Sequence, residues 1–126
     1  MVKAQEIRIG NYFKTEIGLI GKVLSFHESK VTMKMPHSTS VIHTKPQFRP
    51  GLDIDPIPLT PEILEKAGWE KFAGVFSKNE WALREDAPGY EFNSPYWRTG
   101  GISVQYVHQL QNLYFALTGQ ELEIKM

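Results

Sequence analysis

The residues of this 126-residue chain that could do chemistry are few, and their spacing argues against most of it. His27-Glu28 opens like the zinc-binding motif His-Glu-x-x-His, but the position that must supply the second histidine holds Val31. His37 and His43 flank a Pro/Ser turn with no third ligand of fitting type beside them. The chain has no cysteine, which excludes disulfides and thiolate metal sites together. Gly18-Leu-Ile-Gly-Lys22 lacks the loop length and the Ser/Thr of a phosphate-binding loop. Asp53 with Asp55, and Glu121 with Glu123, read as solvent-facing pairs, and no serine sits in a nucleophile elbow. No catalytic residue, metal ligand or cofactor is expected, and an enzyme ranks below a binding protein.

Binding has better candidates. Tyr96-Trp97-Arg98 places side by side three residue types that concentrate binding energy, and such a set can stack on a base and hold a phosphate. The alternative is that the two rings fold back onto a sheet. His108, Gln111 and Phe115 share one flank of a predicted helix. Either a second element covers that flank, or it faces a partner or ligand. Residues 1–50 hold eight Lys or Arg against three Glu, a net +5, and residues 51–126 hold six against eleven acids, a net −5. Lys22, Lys30, Lys34 and Arg49 therefore form a candidate anion-binding face, although the same asymmetry serves self-association equally well.

The helix that would position the first of these flanks runs over Tyr106–Thr118. Tyr106, Val107, Leu110, Leu113, Tyr114 and Leu117 fall on one side at 3.6-residue spacing, and Gly119 offers the left-handed stop. Glu121–Met126 alternates as a half-buried strand does. Residues 99–120 carry no charge, but the four glutamines, an asparagine and a histidine among them argue against a membrane span.

The other elements follow in order. Residues 1–45 read as four or five short strands with glycine bends, which suggests a small SH3-like barrel. Residues 46–61 are a proline-punctuated connector in which no regular ladder is expected, although Leu52, Ile54, Ile57 and Leu59 alternate and could dock. Thr60-Pro61 starts a short helix that Gly68 ends, with Ile63, Leu64 and Ala67 on its buried side. Strands near 69–72 or 74–77, then 80–84, 89–92 and 101–104, form a meander turning at Lys78-Asn79 and Asp86–Gly89. The fold class is thus α+β, mostly β. A barrel-like subdomain at 1–45 and a connector at 46–61 precede a meander packed on one C-terminal helix within 62–126, and the whole can also form one continuous domain.

Three stretches carry a resemblance: Ile7-Arg-Ile-Gly-Asn-Tyr12, Pro56-Ile-Pro-Leu-Thr-Pro-Glu-Ile-Leu-Glu-Lys-Ala-Gly-Trp69 and Tyr106-Val-His-Gln-Leu-Gln-Asn-Leu-Tyr-Phe-Ala-Leu-Thr-Gly119. Together they resemble a family of small uncharacterised proteins from bacteroidete-type bacterial genomes and their phages. The resemblance implies a phage or mobile-element setting in the cytoplasm of a bacterial host, and it carries over no catalytic residue. The function expected is a non-catalytic interaction protein binding a host or phage protein. The alternative is a nucleotide or nucleic-acid binder, such as a phage protein that sequesters a host signalling nucleotide. No membrane partner is expected.

Overall fold

The computed structural model describes residues 6–15, 18–27, 30–34, 41–44, 54–94 and 101–125. Among these the chain is mostly β, with two antiparallel five-stranded sheets and two helices. They gather into two compact units. One joins the described residues up to Ile57 with Val107–Glu121, and the other holds Pro58–Tyr106 with the residues from Leu122 on.

The first unit contains β1 (Tyr12–Thr15), β2 (Ile20–His27), β3 (Lys30–Lys34), β4 (Val41–Thr44), β5 (Ile54–Asp55) and α2 (Val107–Thr118). The sheet order is β4-β3-β2-β1-β5. Strand alternation sends Phe13, Val23 and Met33 to one face, where they form a core with Ile7 and Ile54. The sheet is open, and among the described residues no pairing of β4 with β5 closes the SH3-like barrel. A barrel buries its inner face by curling round it; here α2 packs on β1 and covers that face instead. This helix, expected from its apolar stripe to pack against the meander, packs on the first sheet.

A ladder also runs through the proline-rich connector, where none was expected. Ile54 and Asp55 pair with Thr15 and Lys14. These two residues retain the N–H groups that the flanking prolines lack. Ile54, Ile57 and Leu59 are buried, so the alternation there does mark docking, while Leu52 lies outside the described residues.

In the second unit α1 (Pro61–Lys66) has readable ends. Thr60 Oγ1 accepts from the Ile63 N–H at 3.2 Å. At the other end Gly68 (φ +86°) lets its own N–H reach Glu65 O at 3.1 Å and the Trp69 N–H reach Leu64 O at 3.0 Å. That is a Schellman closure, with Trp69 and Leu64 as its apolar contact. The sheet then runs β6 (Glu70–Phe72), β7 (Val75–Lys78), β8 (Trp81–Asp86), β9 (Gly89–Asn93) and β10 (Ile102–Val104), each strand paired with the next. Both stretches offered for the first strand of the meander are strands. The tight turn between them is made by Ala73 (φ +52°) and Gly74 (φ +80°). Phe76, Leu83 and Phe92 lie in register across three strands and form the core row, with Trp69 set edge-on to Phe92 at 6.2 Å. Leu122 and Ile124 are buried beside exposed Glu123 and Lys125, although no strand forms. The predicted alternation therefore holds without a ladder, and the Lys125 N–H donates to Lys66 O at 3.1 Å.

Candidate functional site

The densest polar cluster lies in the first unit, where the turn before β1 meets α2. Four residues, Arg8 to Asn11, make that turn. The Asn11 N–H donates to Arg8 O at 3.1 Å, and the Arg8 N–H donates to Asn11 Oδ1 at 2.7 Å. Gly10 takes φ +96°, a left-handed value that favours glycine.

Three helix side chains enter this turn. The Gln111 amide donates to Gly10 O at 3.0 Å and accepts from the Tyr12 N–H at 3.0 Å. A primary amide offers the same donor and acceptor as a peptide unit. Gln111 thus serves residues 10 and 12 as a neighbouring strand would. Asn112 donates to Glu6 O at 2.8 Å and accepts from Asn11 Nδ2 at 2.9 Å and Arg8 Nε at 2.8 Å. Arg8 also forks onto Glu121, at 2.6 Å and 3.3 Å, reaches Gln111 O at 3.2 Å, and lays its guanidinium 4.4 Å from the Phe115 ring centroid. His108 tilts against Phe13 with 4.8 Å between ring centroids, and its Nε2 lies 3.7 Å from Glu6 Oε1. Burial pushes the His108 imidazole below its ordinary pKa, and the Glu6 carboxylate pulls in the opposite direction.

Of the flank His108, Gln111 and Phe115, the first two are thus inside, at 2% and 1% exposure, and only Phe115 reaches the surface, at 39%. The buried side of α2 is Val107, His108, Leu110, Gln111 and Tyr114. It is rotated from the apolar stripe, leaving Leu117 at 41% exposure. The rotation has a cause: the 6–13 segment supplies hydrogen-bond partners for the polar flank. Arg8, Asn11, Asn112 and Glu121 were not anticipated as members of the cluster. The available signals were the Gly10-Asn11 turn and adjacent amides at 111 and 112 on one helix.

Tyr96, Trp97, Arg98, Arg49, His37 and Asp53 lie outside the described residues. Lys22 and Lys34 are exposed and stand directly opposite each other on β2 and β3, while Lys30 opens β3 opposite His27. Among the described residues no group of three His, Asp or Glu is placed to hold a metal, and no helix is long and apolar enough to cross a membrane. Elsewhere among the described residues, Glu91 on β9 is held below the usual range by the Asn93 amide at 2.6 Å and by Arg84 at 3.1 Å.

The fold and cluster define a β-rich protein of two open antiparallel sheets, the first pinned to a helix by a part-buried amide–guanidinium network. Set against models of known families, curated proteins and solved structures, the chain matches none.

Proposed function

We propose that the protein acts by binding rather than by catalysis, and that it holds a protein partner against Ile9, Arg8 and Phe115. The setting is that of a phage or mobile-element protein at work in the cytoplasm of a bacterial host. One observation supports this reading most. Arg8 is fixed by Asn112 and Glu121 above the Phe115 ring, next to an Ile9 that is 64% exposed. An arginine and an aromatic ring are residue types that anchor interfaces, and side chains already held in place lose less entropy on binding. The rest of the cluster is occupied with internal hydrogen bonds, which suits a rigid support better than a reactive centre.

The test is affinity capture from the host lysate with the full chain and with Ile9→Asp and Phe115→Ala, folding being checked by circular dichroism. The expected result is one protein species held by the parent and reduced at least about tenfold by each variant, as truncation of an anchor worth about 1.4 kcal/mol would give. A species retained equally by all three proteins, or nothing above background, would refute the reading.

A further inference from the structure

We infer that the solvent-facing side of the first sheet binds single-stranded nucleic acid, with Lys14, Lys22 and Lys34 on the phosphates and Tyr12 beneath a base. This goes beyond the protein-binding reading and does not rest on it. The argument starts from register. Tyr12 pairs with Lys22, and Lys22 pairs with Lys34, so the three lie in one row across β1, β2 and β3. Phe13, Val23 and Met33 are the buried neighbours of these residues, which places the row on the opposite face. Lys14, two residues beyond Tyr12 on β1, joins that face. Lys22 Nζ lies 5.9 Å from the Tyr12 ring centroid.

Among the described residues Lys14, Lys22 and Lys34 make no ion pair, and the one carboxylate set opposite any of them is that of Asp55, the β5 partner of Lys14. Like charges placed directly opposite on neighbouring strands oppose sheet formation. The fold nevertheless keeps Lys22 against Lys34, and a bound anion would turn that repulsion into attraction. A row of lysines alone would suit any polyanion. The tyrosine in the same row favours nucleic acid, because every base presents a face that stacks on an aromatic ring. An open, twisted sheet face with a ring beside cations suits flexible single strands better than a rigid duplex.

Fluorescence anisotropy with a labelled deoxythymidine oligonucleotide tests this, with a duplex of equal length and heparin as comparators. The intact chain should bind the oligonucleotide at low salt with a log–log salt slope near −2, about 0.7 for each of three phosphate contacts. Lys22→Gln combined with Lys34→Gln should bring that slope to about −0.7. Tyr12→Leu should weaken oligonucleotide binding roughly fivefold or more while leaving heparin binding unchanged. Lys22→Glu should weaken binding at least as much as the double variant while the thermal midpoint holds or rises, which separates lost binding from lost folding. The inference is overturned by no binding at low salt, or by an unchanged slope in the double variant. It is equally overturned by tighter duplex binding, or by Tyr12→Leu affecting oligonucleotide and heparin alike.

Discussion

Replacing Gln111 by leucine would remove the side chain that stands in for a strand beside β1. Leucine matches the amide closely in volume, so little packing is lost. Two backbone groups, Gly10 C=O and the Tyr12 N–H, would lose the partners they now hold at 3.0 Å each. Asn11 Nδ2 would keep its shorter bond to Asn112 at 2.9 Å. An orphaned buried group costs about 1–3 kcal/mol; these two are half-buried, so together they cost about 2–4, and the extra apolar burial of leucine returns about 1. The net loss should be about 1–3 kcal/mol, a sizeable share of the roughly 5–15 kcal/mol of a typical domain. Gln111→Glu gives an internal control. Its carboxylate accepts from Tyr12 but cannot donate to Gly10, whereas the protonated acid does both. Burial raises the folded-state pKa of such a glutamate above its unfolded value. Its stabilising contribution is therefore complete below the unfolded pKa and disappears as pH rises through the folded one. Gln111→Glu should approach the parent in acid, while the deficit of Gln111→Leu should not change with pH. Urea denaturation reads the free energies, and hydrogen exchange at the Tyr12 amide reads the same loss within the first unit. A Gln111→Leu deficit below about 0.5 kcal/mol, the range of an unremarkable surface change, would refute the strand-surrogate reasoning.

Further outcomes follow from other particulars. His108 has its pKa lowered by burial, so the folded state resists its protonation; stability is complete above the ordinary value near 6.5 and falls as pH drops below it. An NMR titration should find the His108 ring titrating below the range of an ordinary histidine, and His108→Phe should lessen the acid loss of stability. Gly101→Ala would place a Cβ 2.2 Å from Phe92 O, and Gly89→Ala one 2.3 Å from Val104 O. Each should destabilise the second sheet by about 1–3 kcal/mol or more in thermal melts, because the obstruction is backbone. Thr60→Ala, which removes the acceptor of the Ile63 N–H, should cost about 1 kcal/mol by denaturant titration.

The features legible in the sequence were those whose cause is local. Thr60, Pro61 and Gly68 bound α1 through the backbone preferences of those residues, and Gly119 (φ +73°) ends α2 for the same reason. The turn at Asn79 (φ +55°) rests likewise on a few adjacent residues. The polar cluster escaped because its causes are remote: Gln111 and Asn112 meet partners about a hundred positions away, at Glu6, Gly10 and Tyr12. Periodicity counts glutamine and histidine as outward-facing, and nothing local announces that a turn elsewhere will accept them. The same blindness hid which sheet α2 covers. An apolar stripe states that a surface is needed but does not name it, and in this helix His108 and Gln111 took part of the buried side from Leu113 and Leu117.

Short backbone pairings mark the ends of the 58–106 segment. The Val107 N–H donates to Ile57 O at 2.8 Å, and just beyond it the Leu59 N–H donates to Gln105 O at 2.9 Å, with Pro58 bridged to Tyr106 between. Within the second unit the two ends of the 58–106 segment are therefore held together. Lengthening a tethered loop is thermodynamically mild, with each doubling costing only about 0.6 kcal/mol. Longer turns between the meander strands should therefore be tolerated for as long as those ends stay paired.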